Sequence, residues 1–91
     1  MTFTWDPDKD AVNRRKHAVG FREAASVLED PLSTTYPDPA HSRGELRYVT
    51  IGRSRLGRTL VVAHADRGDM IRVISARPAT RRERRFYEEK A

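Results

Sequence analysis

The sequence predicts one small α+β domain, in which helices lie apart from an antiparallel β-meander. Three apolar, β-prone segments follow one another in the second half of the chain, and only short turns that contain glycine separate them. Helical patterns occur on both sides of these segments. At 91 residues the chain has the size of one domain, so we expect residues 1–91 to fold as a single unit.

The N-terminal third of the chain predicts a short strand and two helices. The segment FTW is aromatic and β-prone, and we expect Trp5 to lie in the core. Asp6 and Pro7 then provide an N-cap and a first helical residue for a helix that runs to about His17. From Phe21, apolar residues at i, i+3, i+4 and i+7 predict a second helix, which the proline of EDP ends.

The rest of the chain predicts the meander and a closing helix. An edge strand is expected around Thr34 to Tyr36, followed by a loop. The segments LRYVTIG, RTLVVAHA and MIRVISA are three strands, joined by the turns RSRLG and DRGD. Thr80 and Glu83 have the spacing of a capping box at the start of the last helix, and we expect Phe86 to pack that helix on the sheet.

Charge and composition restrict the partners of the chain. A net charge of +5 and a pI near 10.2 favour an anionic partner such as nucleic acid, an acidic protein or a membrane surface. No segment approaches the roughly 20 apolar residues of a membrane span, and the N-terminus does not have the pattern of a signal peptide. We therefore expect a cytoplasmic protein that does not bind membranes.

The residue types also restrict the chemistry. The chain has no cysteine, which excludes disulfides, thiolate zinc sites and a cysteine nucleophile. Its three histidines are scattered without the spacing of a ligand set, and no nucleotide-binding glycine motif occurs, so we expect no metal and no cofactor. An enzyme of this kind can still cleave RNA, because the 2′-OH is an internal nucleophile that needs only a base, cations and an acid.

Arginines are the principal candidates for phosphate contacts. Arg72 interrupts an apolar strand, and Arg77 ends the same strand with Ser75 on its face. Arg58 opens the neighbouring strand and would join them if the register allows it. A planar guanidinium suits bidentate binding of a phosphodiester. The four arginines of the last helix point in several directions, so we assign some of them to solubility and to a partner interface: Arg81, Arg82, Arg84 and Arg85.

Histidine and tyrosine are the candidates for proton transfer. His17, beside Lys16, is a candidate base, and the alternative is a helix-end cap. His64 lies within an apolar strand, which favours a packed or hydrogen-bonded imidazole, and His41 is expected to be solvated. Tyr87 has a hydroxyl to place and is a candidate for stacking on a base or donating a proton.

Four segments together resemble the BrnT toxins of bacterial type II toxin–antitoxin systems: FTWDPDKDAVNRRKHAVGFREAASVLEDP, GELRYVTIGRS, GRTLVVAHADRGD and IRVISARPATRRERRFYEE. The resemblance implies a RelE-like α+β fold and a ribonuclease that cleaves RNA and arrests translation. It also implies a BrnA antitoxin with a ribbon-helix-helix domain that neutralises the toxin. Operator DNA would be bound only through the complex of the two proteins.

The resemblance also assigns site residues. The family's KH falls on Lys16 and His17, and its glycine-arginine pair on Gly57 and Arg58. It implies catalytic roles for Arg77, Arg58, Arg72, His17 and Lys16. The family's terminal ER..YE falls on residues that include Arg84 and Tyr87, and we predict RNA contacts for these two and for Arg81.

Two positions depart from the family pattern. Ala18 stands where glycine is frequent, and Arg22 stands where an acidic residue is common, which leaves Glu23 as the nearest carboxylate. Two other readings stay open beside a metal-independent endoribonuclease. One is a basic module that binds RNA or a protein partner without cutting, and the other is a structural partner with solvated arginines.

Overall fold

The computed structural model describes residues 1–90, and it confirms the predicted α+β class and the predicted order of elements. The elements are β1 (Thr2–Thr4), α1 (Pro7–His17), α2 (Phe21–Val27), β2 (Thr34–Pro37), a 3₁₀ turn (Pro39–His41), β3 (Arg47–Arg53), β4 (Thr59–Arg67), β5 (Met70–Pro78) and α3 (Arg81–Lys90).

The strands form one five-stranded sheet in the order β1-β5-β4-β3-β2. Strands β2 to β5 pair antiparallel, which is the predicted meander with its edge strand. Strand β1 pairs parallel with β5, so the sheet is mixed, and this pairing was not part of the prediction. Both helices and three strands lie between β1 and β5 along the chain, and a parallel pair requires a long connection of this kind because a tight turn cannot join parallel strands.

Helix α1 begins and ends at residues that the sequence identifies. Asp6 is the N-cap and accepts a hydrogen bond from the Asp8 amide at 2.8 Å, and Pro7 follows it as the first helical residue. Ala18 ends the helix in the left-handed conformation, with φ of 57°, and its amide donates to the Arg14 carbonyl. Ala18 therefore adopts the conformation for which glycine is the usual choice.

The main core lies between helix α2 and the sheet. Trp5 is half-buried against it and meets the ring of Phe21 edge-on, at 6.4 Å between centroids, as predicted for a core aromatic. The buried members of this core come from α2, from the turn before it and from strands β4 and β5: Val19, Phe21, Ala24, Ala25, Val27, Leu60, Val62, Val73 and Ala76.

Asn13 attaches α1 to the outer edge of β5. Its side-chain amide donates to the carbonyls of Ala76 and Val19, at 2.8 and 2.9 Å, and its Oδ1 accepts from the Ala76 amide at 3.2 Å. The Asn13 side chain therefore bonds both the N–H and the C=O of Ala76, as a paired strand would. Strand β1 pairs only with residues 70–72 of β5 and does not reach this position. This clamp fixes the C-terminal end of α1, and with it His17, beside β5.

Helix α3 packs on the opposite face of the sheet and covers only part of it. Tyr87 is 5% exposed and contacts Ile51, Val61 and Ala79. Phe86 is 37% exposed and its ring lies 6.3 Å from that of Tyr36. Phe86 therefore packs only against the edge strand β2, and the expectation that it holds the helix on the sheet is met only in part. The rotation of α3 turns the following residue inward instead, where its hydroxyl also finds a polar partner.

Replacing Ala18 by glycine should stabilise the fold. Glycine adopts positive φ without the steric cost that alanine carries, so Ala18→Gly should raise the free energy of unfolding by about 1 kcal/mol in urea titration. Ala11→Gly, in the middle of α1, is the matched control and should lower it by about 1 kcal/mol. Equal losses in both variants would show that residue 18 is not held in the left-handed conformation.

Candidate active site on the open face of the sheet

A β-bulge in β5 places its arginines on one side of the sheet. Ser75 pairs with Ala63 and Val73 pairs with His64, so Ile74 is an extra residue in β5. Arg72 and Arg77 are five positions apart, which in a regular strand would put them on opposite faces. The extra residue restores the alternation, so Arg72, Ser75 and Arg77 share the face opposite helices α1 and α2, here called the open face.

The open face contains a shallow groove beside α1. Across the strands, Val49, Ala63 and Ser75 are neighbours and form its small, half-apolar floor. The groove has a volume of about 220 Å³, and both His17 and Arg77 line it. The structure therefore brings together two of the five residues predicted to be catalytic, one from the end of α1 and one from β5.

Arg77 is held by the first turn of α3. Its Nη1 and Nη2 atoms donate to the two carboxylate oxygens of Glu83, at 2.7 and 3.0 Å, in a bidentate pair. Glu83 also accepts from the Thr80 amide at 2.9 Å, and the Thr80 hydroxyl accepts from the Glu83 amide, which confirms the capping box. Arg77 is 42% exposed in its side chain, so it remains open to solvent on its other side.

The Arg77 guanidinium holds the pKa of Glu83 far down, from 4.5 to about 2, with a smaller contribution from the Thr80 amide and against the effect of burial. The same pair raises the pKa of Arg77. Glu83 is therefore an ionised carboxylate at neutral pH and a weak base. Its role is to orient Arg77 and to cap α3.

Arg58 does not join Arg72 and Arg77 on the open face. Its Nε and Nη2 atoms donate to Glu23 of α2, and Nη2 also donates to the Ala18 carbonyl at 2.9 Å. Ser54 donates to the same carboxylate at 2.7 Å. Arg58 above all, together with Ser54, lowers the pKa of buried Glu23 against the effect of its burial, so this carboxylate is a weak base.

Arg72 lies on the open face but is also paired. It donates to Glu45, which precedes β3, and Arg67 donates to the same carboxylate. The groove with His17 is lined by Arg77 and not by Arg72. The predicted convergence of three catalytic arginines is thus replaced by three separate arginine–carboxylate pairs.

The histidines occupy three different environments. His17 is half-buried and lines two grooves, and exposed Lys16 lines one of them, of about 320 Å³. His64 is 3% exposed and bonds Thr50 and Asp66, both at 2.7 Å, so the expected hydrogen-bonded role is confirmed. His41 is exposed, as expected, and its Nδ1 lies 2.9 Å from an Asp38 oxygen.

The residues predicted to contact RNA are spread over α3. Arg81 is exposed, and Arg84 lines a groove of about 350 Å³ at the end of the sheet together with Arg58. Tyr87 is buried and its hydroxyl donates to Asp30 at 2.6 Å, and burial first, then this contact with Asp30, raises its pKa. This environment favours a structural role for Tyr87 over stacking on a base.

Sequence reasoning missed the carboxylates that bind the arginines. Glu45 and Glu23 lie 27 and 35 positions from Arg72 and Arg58, so no local pattern connects them. Glu83 was recognised as a capping residue, but its second role on Arg77 depends on where β5 ends relative to α3. Ser75 was placed correctly beside Arg77, because both follow the alternation of one strand.

A wider groove lies along α2 and reaches the end of the sheet where Arg53 and Tyr87 lie. It has a volume of about 810 Å³ and is lined by Trp5, Arg22, Arg53 and Arg55 among others. Asp30 also lines it, but that carboxylate already accepts from Tyr87 and from the amides of Leu32 and Arg53. The groove therefore has cations, apolar surface and two carboxylates, of which Asp30 holds α3 and the turn after α2, and Glu29 is exposed.

Within residues 1–90, no three histidine, aspartate or glutamate side chains are close enough together to hold a metal ion. In the same part of the chain, no helix is long and apolar enough to cross a membrane.

Comparison with protein families places the chain among the ribonuclease toxins of type II toxin–antitoxin systems. Residues 5–83 match the family described as "Ribonuclease toxin, BrnT, of type II toxin-antitoxin system", and the chain therefore belongs to the BrnT family. The resemblance found in the sequence motifs is confirmed. Membership in this family implies an RNA target and an antitoxin partner.

A solved structure supports the fold independently. The chain is similar to the Brucella abortus ribonuclease toxin BrnT, determined at 1.1 Å, with a TM-score of 0.69 and 24% sequence identity. The similarity covers 89% of this chain and 99% of that one, and at this identity it shows the fold. Comparison with curated protein sequences gave no significant match.

The Arg77–Glu83 pair should make the free energy of unfolding depend on pH in the acid range. The folded pKa of Glu83 is about 2 and its ordinary value is 4.5, so the pair stabilises the fold above pH 4.5 and loses this effect as the pH falls towards 2. Because solvent screens Arg77, we expect the pair to contribute on the order of 1–2 kcal/mol.

The measurement is the free energy of unfolding from urea titrations between pH 2 and 7. The difference between wild type and Glu83→Gln should shrink as the pH falls through this window, and the exposed Glu89→Gln should show little difference at any pH. A difference that does not change with pH would contradict the assigned pair.

Proposed function

We propose that this chain is a metal-independent endoribonuclease that cuts RNA in the groove between α1 and β5, and so arrests translation. The proposal rests on membership in a ribonuclease-toxin family, together with one structural observation: His17 and Arg77 line the same groove on the open face. A base and a cation that face one cavity are two of the three groups that cleavage through the 2′-OH requires, and water can serve as the third, the acid.

In this mechanism His17 takes the proton of the 2′-OH, and the 2′ oxygen attacks the adjacent phosphorus. The 5′ oxygen leaves and takes up a proton from water, so the products are a 2′,3′-cyclic phosphate and a 5′-OH end. Lys16 precedes His17 and adds positive charge at the same end of α1. Imidazole suits the role of base because it changes protonation near neutral pH.

Arg77 stabilises the negative charge that develops on the phosphate. A guanidinium has five N–H donors, and Glu83 engages only the Nη1 and Nη2 atoms, so donors remain for phosphate oxygens. The carboxylate also restricts the rotation of the side chain before the substrate arrives. Such a preoriented donor is more effective in the transition state than one that must first be ordered.

Family membership supports a proposal for the remaining partners. We propose that a BrnA-like ribbon-helix-helix antitoxin binds this toxin and neutralises it, and that operator DNA is bound only through the complex. We place the protein in the cytoplasm, where its RNA substrate is. The exposed arginines of α3 provide a basic surface for the RNA strand or for the antitoxin, and Arg81 and Arg84 are part of it.

The proposed cleavage is tested on purified protein with labelled RNA in EDTA. Wild type should produce 2′,3′-cyclic or 3′-phosphate ends, and RNA with 2′-deoxy residues throughout should not be cut. Arg77→Ala and His17→Ala should each lower the cleavage rate by roughly a hundred-fold or more while RNA binding falls much less. Arg82→Ala, an exposed position on α3, is the matched control and should cleave like wild type.

Two outcomes would contradict the proposal. Cleavage that disappears in EDTA and returns with a divalent cation would exclude the metal-independent reaction. If wild type binds RNA but never cuts it, and Arg77→Ala loses only binding, the chain is a basic binding module. Far-UV circular dichroism of each variant separates a lost activity from a lost fold.

A further inference from the structure

A second basic cluster lies on the open face, at the end of the sheet away from α3. Three arginines surround the carboxylate of Glu45: Arg72 and Arg67 donate hydrogen bonds to it, and Arg47 Nε lies 3.7 Å from its Oε1. We call Arg47, Arg67 and Arg72 the arginine cluster.

The strand register explains how the arginine cluster forms. Arg47 of β3 and Arg72 of β5 both pair with Ala65 of β4, on its two sides. Ala65 is fully buried and its methyl group leaves the space above β4 free for the two long side chains. Arg67 follows two residues later on β4 and therefore faces the same way. The bulge at Ile74 is again required, because it keeps Arg72 on this face.

The arginine cluster has more charge and more donors than Glu45 satisfies. Three guanidinium groups against one carboxylate leave an excess of two positive charges. The Nε atoms of Arg47 and Arg72 are buried, and neither has a hydrogen-bond partner among residues 1–90. Arg67 above all, and then Arg72 and Arg47, lower the pKa of Glu45, so its carboxylate is ionised at neutral pH.

The arginine cluster and the groove lie on the same open face of the sheet. Arg72 pairs with Ala65 of β4, and Arg77 pairs with Val61 of the same strand. Val61 and Ala65 are four positions apart, so Arg72 and Arg77 lie about 13 Å apart along the strands. Between these two positions lie the paired residues of the groove floor, Val49, Ala63 and Ser75. Their side chains are short enough to let a nucleic acid strand pass over the sheet.

We propose that the arginine cluster is a phosphodiester-binding subsite for the RNA strand that is cleaved at Arg77. In the free protein the Glu45 carboxylate holds the three guanidinium groups in the arrangement that a phosphate group would bind. This inference rests on the proposed function, since it takes RNA as the ligand. A phosphodiester has one negative charge and two free oxygens, as the Glu45 carboxylate has, so it can replace Glu45 among the arginines or bind beside it and reduce the excess positive charge from two to one.

The test uses a labelled 2′-O-methyl RNA oligonucleotide, which binds but does not react. Fluorescence anisotropy gives its Kd between low and moderate KCl for wild type and for the double variant Arg67→Ala/Arg72→Ala. We expect Kd to rise roughly ten-fold or more, and the slope of log Kd against log salt to fall by about 1 to 2, because each lost phosphate contact removes about 0.7 to 1 from it.

Two further variants make the test specific. Arg22→Ala/Arg55→Ala removes the same charge from exposed positions on the α2 side and should leave the slope unchanged. Glu45→Gln removes the competing carboxylate and should tighten RNA binding several-fold, with a steeper salt slope. Equal losses in the two double variants would show a general effect of charge and would overturn the subsite.

The two proposals can fail separately. If wild type cleaves RNA but Arg67→Ala/Arg72→Ala binds the oligonucleotide with unchanged Kd and slope, the subsite is wrong and the cleavage groove stands. An acidic protein segment is then the alternative ligand of the arginine cluster. If wild type binds with the expected slope but never cleaves, the subsite stands and the catalytic proposal fails.

Discussion

The β-bulge at Ile74 is the constraint on which the arrangement of the site depends. A strand presents alternate residues to its two faces, and five positions separate Arg72 from Arg77, so only an extra residue between them allows both to face the same way. The strand is also fixed from outside, because Asn13 bonds the backbone of Ala76 just after the bulge. The position of His17 depends on the same clamp, since α1 ends four residues later.

Pairing with carboxylates also decides where the arginines of the sheet lie. Each of the three arginines that the sequence singles out is bonded to a different glutamate: Arg58 to Glu23, Arg72 to Glu45 and Arg77 to Glu83. The first pair is turned towards α1 and α2 and includes a buried carboxylate, which makes it a structural link. The other two are half-exposed on the open face, where a phosphate can approach the donors that the glutamates leave unused.

Local sequence patterns predicted the helices and strands, whereas contacts between distant segments determine which residues meet in the candidate site. Asp6, Thr80 and the periodicity after Phe21 determine helix boundaries within a few residues, so the order of elements could be inferred without a structure. The bulge, the parallel pairing of β1 and the glutamate partners depend on contacts between distant segments, which no spacing reveals. The exchange of roles between Phe86 and Tyr87 has the same origin, because a small rotation of α3 decides which ring is buried.

The central claim is that RNA lies on the open face, from the arginine cluster to Arg77. The most direct test is an NMR titration of labelled protein with the 2′-O-methyl oligonucleotide, in which backbone amides and arginine Nε groups are followed. The account predicts the largest shifts at Arg67, Arg72, Ser75 and Arg77, with His17 among them. Shifts confined to the groove along α2, and none on the open face, would contradict it.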